Sequence, residues 1–580
     1  MASSTNNSRN IPNAPTAKTR VKRAIAFATI AVLLLLATGF AVVRCMNPQA
    51  VSGGLHDALN APLEGTLNTS SSEASVAGSA EIDLDAAYAP APFNTEEYAY
   101  LDEPGFTSTA TQPLSTLSAD VDTASYCNLR RMVSDGMTAD TIPAGAIRTE
   151  EMLNYFDYDY AAPTGGNLFG VTAHAGVCPW NPETLLLVMG FSTEARDATD
   201  PQGSNLVFLI DTSGSMDSYD KLPLLQEALG KLVTQLDERD RVSIVTYSGD
   251  ESIVLEGASG TDQHAIMHTV YGLVAYGSTN GEAGLATAYE VAERNFIEGG
   301  VNRIVMASDG DLNVGITSES DLHDFVEQKR ESGVYLSVLG FGSGNYKDTK
   351  MEVLADHGNG TYHYIDCLEE AERVFGEDLR SNFVPLADDV KVQVEFNPAC
   401  VKGYRLIGYE NRTLAAEEVE DDTADAGEVG AGHQFTVAYE IVPVGSSFEL
   451  HEPDLKYEHS DESTSGEATQ SGEWLTCSVR YKPAGQDTSQ EEQTIVDASA
   501  FSNDPGHDWR FAASVIECSM LLRDSDYAGS STFDSALGLA QASATGTFAE
   551  ERQGFIDLMT HLRENNSTYR YPMCENDSPF

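Results

Sequence analysis

Asn205-Leu-Val-Phe-Leu-Ile-Asp211-Thr-Ser-Gly-Ser-Met216 is an apolar run that stops at a carboxylate and two hydroxyls. A short uninterrupted apolar run bounded by polar residues reads as a strand buried on both faces, the kind found in parallel sheets. Such a strand delivers Asp211, Ser213 and Ser215 to one end of its sheet as three hard oxygen donors. Arg303-Ile-Val-Met-Ala-Ser-Asp309-Gly-Asp311 repeats the arrangement, and Tyr276-Gly-Ser-Thr-Asn-Gly281 places Thr279 in a loop just before a helix. In a doubly wound sheet the loops at the carboxyl ends of the strands meet at the topological switch point, where ligands bind. Three such loops would bring Asp211, Ser213, Ser215, Thr279 and Asp309 together. With no thiolate or imidazole among them, the set suits Mg²⁺ or Mn²⁺ rather than Zn²⁺.

Around these loops strands and helices alternate from 204 to 384. After the 206–210 strand, Leu222, Leu225, Leu229, Leu232, Val233 and Leu236 fall on one stripe of a helix at 221–236. Strands are predicted at 242–247, 303–307, 335–341 and 362–365, with an antiparallel edge at 253–255. Helices are predicted at 262–274, 282–296, 319–332, 350–356 and 368–383. Before this unit, helices at 124–134 and 148–156 and strands at 168–175 and 184–191 are expected. After it come strands at 390–396, 404–409, 434–442 and 475–481, then helices at 510–523, 533–541 and 550–562. The flanking β segments each have few strands, so joining them into one sandwich with the α/β unit inserted is the economical arrangement.

The N-terminus differs in kind. Ala24 to Val43 is twenty residues without a charge, preceded by Arg9, Lys18, Arg20, Lys22 and Arg23. Twenty apolar residues span about 30 Å as a helix, and the preceding positive charge orients the body outward. The expectation is a single uncleaved anchor, 24–43, behind a cytoplasmic basic segment, 1–23, and a flexible spacer, 44–94. A lipoprotein signal at Cys45 is disfavoured because Arg44 stands where a small residue is usual. The formal net charge of −55 argues against nucleic-acid binding by the body, which would add repulsion instead of releasing counterions. Eight cysteines are spread singly without a CxxC, which excludes a zinc ribbon; buried thiols and disulfides both stay open.

Residues 204–384 resemble a von Willebrand factor type A domain. Asp211, Ser213, Ser215, Thr279 and Asp309 match, position by position, the metal-ion-dependent adhesion site (MIDAS) of that family. Pro113–Tyr126, Arg148–Phe156 and Tyr404–Arg412 are similar to flanking segments of a bacterial group in which the A domain sits between characteristic N- and C-terminal regions. The resemblance implies a doubly wound, mainly parallel, Rossmann-like α/β sheet with the metal at its upper edge. It would be flanked by a β-sandwich-like domain (95–203 with 385–500) and a helical segment (501–580). The implied function is binding of a protein partner whose Asp or Glu completes the metal's coordination. A metal-dependent hydrolase and a surface scaffold with a structural metal are the alternatives. Hydrolysis lacks an evident general base in the motif loops, so no enzyme is expected.

Other motifs carry less. His264 and His268 lack the glutamate of an HExxH motif and read as surface or packing residues. Asp120 and Asp122 read as N-terminal caps of the helix that follows. Asp311 reads as a neighbour of the metal shell or a solvated residue.

Overall fold

A computed structural model describes residues 95–194, 203–278, 281–310, 325–326, 328–329, 332–377, 384–422, 425–450, 472–486 and 488–564. The expected basic segment, membrane anchor and spacer therefore lie outside the described residues, as do Thr279, Asp311, most of the 319–332 helix and the end of the 368–383 helix. Among the described residues no helix is long and apolar enough to cross a membrane.

The chain opens with β1 (Thr107–Ser108), β2 (Leu114–Ser118), helices α1 (Ala124–Ser134) and α2 (Thr149–Asn154), and strands β3 (Phe169–Val177) and β4 (Leu185–Thr193). The α/β unit follows as β5 (Ser204–Asp211), α3 (Leu222–Val233), β6 (Arg241–Tyr247), β7 (Glu251–Ser259), α4 (Gln263–Tyr271), α5 (Gly281–Arg294), β8 (Val301–Ser308), β9 (Tyr335–Phe341), α6 (Asp348–His357), β10 (Tyr362–Ile365) and α7 (Leu368–Glu372). Next come β11 (Pro385–Phe396), β12 (Val401–Ile407), β13 (Gly427–Gly430), β14 (Gln434–Pro443), β15 (Glu473–Pro483) and β16 (Gln490–Asp497). Helices α8 (His507–Leu522), α9 (Phe533–Ser543) and α10 (Ala549–Glu564) end the described chain.

The α/β sheet has the order β10-β9-β8-β5-β6-β7, parallel throughout except for the antiparallel edge strand β7. β5 sends Val207 and Leu209 to one face and Leu206, Phe208 and Ile210 to the other, as period-two geometry requires. The first face packs on α5 and α6; the second receives the Leu222, Leu225, Leu229, Leu232 stripe of α3. The chain leaves β5 toward β6 on one side and later returns to β8 on the other. The winding therefore switches between β5 and β8, beside the ends that carry Asp211 and Asp309.

The flanking strands form two antiparallel sheets. β4, from before the α/β unit, pairs with β14, from after it, in the order β1-β12-β14-β4-β3. β11 pairs with β15 along one edge and with β13 and then β2 along the other. Inner faces meet through Leu187, Met189, Phe191, Val437 and Tyr439 against Val392, Val394, Phe396, Cys477 and Val479. The outer face, with Leu186, Val188 and Ala438, is covered by Phe511, Val515, Leu537, Phe555 and Met559 of α8–α10 and by Tyr126 and Leu153 of the first two helices.

Two local expectations are corrected. The helix expected over 368–383 is regular α only to Glu372 and continues as a wider π turn, Arg373–Glu377. Asp120 and Asp122 do not cap α1. Its N-cap is Thr123, which makes no side-chain cap bond. Instead Asp120 Oδ1 accepts from the Asp122 amide at 2.8 Å, Asp122 Oδ1 accepts from the Tyr362 amide at 2.8 Å, and both carboxylates face Arg412. Partners distant in the chain outcompeted the local helix end.

Candidate metal centre

The end of β5 is shaped by its own side chains. Asp211 is fully buried; its Oδ1 accepts from the Ser213 amide at 2.8 Å, which turns the chain and brings Ser213 back under the carboxylate. Its Oδ2 accepts from Ser308 Oγ at 3.1 Å, joining the ends of β5 and β8. Ser308 Oγ in turn accepts from the Gly310 amide at 3.1 Å. Gly310 has φ +83°, and a Cβ there would fall 2.6 Å from the Lys347 backbone nitrogen, so only glycine fits this corner.

The third loop docks through backbone. The Tyr276 amide donates to the Thr212 carbonyl at 2.7 Å, and the Gly214 amide donates to the Gly277 carbonyl at 3.2 Å. The loop that contains Thr279 is thereby fastened to the Asp211–Ser215 turn, two residues before Thr279 itself. Of the five residues expected to converge, the structure brings Asp211, Ser213, Ser215 and Asp309 to the β5/β8 ends; Thr279 lies outside the described residues.

Ser213 Oγ and Ser215 Oγ stand 3.0 Å apart. The two hydroxyls share a hydrogen bond at that distance, and about 3.0 Å is also the separation of two oxygens on adjacent vertices of an octahedron about 2.1 Å from Mg²⁺. The hydroxyl pair thus fits a small octahedral cation, and the donor set is all oxygen. Burial, then the nearby Asp309 carboxylate, push Asp211 up to about 7, only partly offset by its bonds from Ser213 and Ser308. A nearby cation relieves such repulsion between buried carboxylates.

Sequence reasoning missed Lys221 and Asn345. Lys221 Nζ pairs with Asp309 Oδ2 at 2.9 Å and donates to Asn345 Oδ1 at 3.2 Å; both charged side chains are buried. Ser308 was visible as the residue before Asp309. Lys221, at the start of α3, carried no local signal of a partner so far along the chain.

A second cluster of metal-ligating type, Cys127, Asp366 and Glu370, is filled by a guanidinium. Arg130 Nη2 lies 3.1 Å from Glu370 and 3.5 Å from Cys127 Sγ, and pairs with Asp366. Burial alone would raise Glu370, but Arg373 and Arg130 outweigh it and hold the carboxyl at about 2. His264 and His268 stack on each other on α4 with ring centres 6.3 Å apart.

Residues 205–376 match the family profile described as von Willebrand factor type A domain, 92–188 that described as von Willebrand factor, and 381–564 that described as uncharacterized protein YfbK, C-terminal. Uncharacterized protein YfbK of Escherichia coli (strain K12) is 38% identical over 468 residues, spanning 80% of this chain and 79% of its own. Human inter-alpha-trypsin inhibitor heavy chain H4 is 31% identical over 146 residues, 24% of this chain and 16% of that one. Among solved structures, a von Willebrand factor type A protein from Catenulispora acidiphila covers 72% of this chain and 99% of its own, at 15% identity and a TM-score of 0.40. Proximal thread matrix protein 1 from the mussel byssus, in a structure with a zinc-occupied MIDAS motif, covers 30% and 44% at 16% identity and a TM-score of 0.25.

Proposed function

The chain belongs to the von Willebrand factor type A family, in the group that includes YfbK, and on that premise we propose that it is a membrane-anchored, outward-facing binding protein. Residues 24–43 would hold it in the cell membrane, with the body extracytoplasmic. It would engage a protein partner that offers an Asp or Glu carboxylate to a Mg²⁺ or Mn²⁺ ion. The observation that carries this reading is the convergence of Asp211, Ser213, Ser215 and Asp309 at the switch point, with the two serine hydroxyls 3.0 Å apart.

Asp211, Ser213 and Ser215 would hold the ion directly, with Thr279 and Asp309 completing the shell. Bound there, the ion supplies an electron-poor coordination position that an outside carboxylate can fill. The chain's residues do the remaining work. Ser308 and the Ser213 amide fix the Asp211 carboxylate, so no rotamer freedom is lost on binding. Neutral hydroxyls, in place of more carboxylates, leave positive charge for the partner to neutralise. Tyr219 and Tyr276 belong to the two loops that flank the site and stand 83% and 68% exposed. Exposed aromatic residues beside a charged anchor are typical of the contacts that dominate protein interfaces. The role is binding, with no catalytic group assigned.

Calorimetric titration of Mg²⁺ and Mn²⁺ into the full chain, compared with Asp211→Ala and Ser213→Ala, tests the site. Saturable binding by the wild type that both variants lose is the expected result. Equal heats from all three would remove the site assignment and the function built on it.

A further inference from the structure

The metal reading leaves a buried charge beside the site unused. Lys221 precedes α3, six residues beyond Ser215, and its ammonium reaches Asp309 Oδ2 at 2.9 Å. Asn345, from the loop after β9, closes the triangle: its Oδ1 accepts from Lys221 Nζ at 3.2 Å and its Nδ2 donates to the same Asp309 oxygen at 3.4 Å. The side chains of Lys221 and Asp309 are 7% and 1% exposed, so water screens little of this pairing.

The route that the lysine takes is built for it. Its methylenes pass over Gly342, where a Cβ would fall 2.1 Å from Lys221 Cε and 2.4 Å from Cγ. Gly342 also has φ +72°, a conformation that glycine adopts without strain. Any other residue at 342 would block the path of the lysine to Asp309. A lysine that merely covered the surface would keep its head in water; this one buries its head on a carboxylate of the metal shell.

We infer that Lys221 is a tethered counter-cation of the metal site: it neutralises Asp309, weakens divalent-ion binding and leaves a bound ion more positive toward an anionic partner. This inference rests on the metal-binding reading above. Its logic is charge bookkeeping at short range. Asp211 and Asp309 alone would nearly neutralise a divalent cation. With the ammonium fixed on Asp309, the shell carries one net negative charge fewer, and the ammonium itself repels the ion. The site trades affinity for the ion against electrophilicity toward the ligand. Without the ion, the same lysine offsets the charge of Asp309 beside Asp211.

The test uses Mn²⁺ alone, titrated calorimetrically into the full chain as wild type, Lys221→Gln, Lys221→Met, Lys221→Arg and Asp211→Ala. The expected result is Mn²⁺ affinity at least tenfold tighter in Lys221→Gln and Lys221→Met, and within threefold of wild type in Lys221→Arg, which keeps the charge. Thermal melting in EDTA should show both neutral variants less stable than wild type, with most of the loss recovered in saturating Mn²⁺. Glutamine can still bond Asp309 and Asn345, so Lys221→Gln reports even where Lys221→Met fails to fold. Neutral variants that bind Mn²⁺ with wild-type or weaker affinity, while Asp211→Ala abolishes binding, would overturn this inference and leave the metal site standing. Absence of Mn²⁺ binding in every protein, wild type included, would overturn both.

Discussion

Replacing Arg412 by methionine should be among the most destabilising single changes outside the apolar cores. The guanidinium lies 3.4 Å from Asp120, 3.3 Å from Asp122 and 2.6 Å from Asp356, with its side chain 10% exposed. Asp120 and Asp122 belong to the turn between β2 and α1, whereas Asp356 lies on α6 of the inserted unit, so one cation joins the two parts. At an effective dielectric constant of 20, each contact near 4 Å is worth roughly 4 kcal/mol before desolvation. Desolvating the guanidinium offsets much of that sum. What methionine cannot offset is the set of buried carboxylates left behind. Burial, then Asp120, already push Asp122 well above the ordinary carboxylate range, and Arg412 is the main group opposing them. Breaking a buried pair on one side costs about 3–5 kcal/mol, which is the expected loss for Arg412→Met. Asp356→Asn on that background should recover part of it, because one stranded charge is gone, with a coupling of about 1–3 kcal/mol. Urea denaturation provides the assay. Tryptophan fluorescence reports the flank, since Trp180, Trp474 and Trp509 all lie outside 204–384, and circular dichroism reports the whole. Both signals should shift together. A loss under about 1 kcal/mol for Arg412→Met, or strictly additive effects of the two changes, would refute the reasoning.

Glu150 is fully buried with neither carboxylate oxygen hydrogen-bonded to another residue among those described, and burial, then Glu410 and Asp120, raise it from 4.5 to about 8. Because the folded value exceeds the unfolded one, its contribution is fully present below pH 4.5 and is lost as pH rises through about 8. Glu150→Gln should match wild type near pH 4.5 and exceed it near pH 8.5 by on the order of a few kcal/mol in urea midpoints; identical pH slopes for the two proteins would rule this out. Gly310→Ala should weaken Mn²⁺ binding at least tenfold by calorimetry: the left-handed φ of +83° costs an L-residue about 1–2 kcal/mol, and the new Cβ meets the Lys347 backbone. Wild-type affinity in that variant would show that the Gly310–Ser308–Asp211 chain of hydrogen bonds is dispensable.

The parts of this protein readable from sequence are those whose physics is local. Leu206–Ile210 and Ile304–Ala307 announce central parallel strands because burial on both faces demands unbroken apolar runs. Asp211, Ser213 and Ser215 announce a site because one turn carries all three. β16, in contrast, reads Gln-Glu-Glu-Gln-Thr-Ile-Val-Asp; it is a strand because β15 offers it a ladder, and its exposed alternate face gives no apolar signal. β2, Leu-Ser-Thr-Leu-Ser, carries only two apolar residues, and its partner β11 lies hundreds of residues downstream. The misreading of Asp120 and Asp122 as caps, and the silence around Lys221, share that cause: an ion pair's second member can come from anywhere in the chain.

The same non-local contacts make the flank part of the candidate metal site's construction. Asn345, which touches both Lys221 and Asp309, sits between Gly344 and Tyr346. The Thr95 amide donates to the Gly344 carbonyl at 2.7 Å, and the Glu97 amide donates to the Tyr346 carbonyl at 3.0 Å. The Gly344 amide donates to Glu96 at 2.7 Å, and Glu96 is itself held by Arg131 of α1 at 3.0 Å. Directly after this loop, α6 is clamped at Asp348 and Glu352 by Arg148 and at Asp356 by Arg412. The loop is therefore fixed on its outer side by residues 95–97 and at its exit by two arginines of the flank. The two apolar cores of the type A sheet come mostly from 204–384, with Ala124 and Cys127 of α1 joining one of them. The position of Asn345, and through it the pairing of Lys221 with Asp309, depends on residues outside that range. The charge beside Asp309 thus depends on the flank as well as on 204–384, and residues 95–97 bond directly to the loop that carries Asn345.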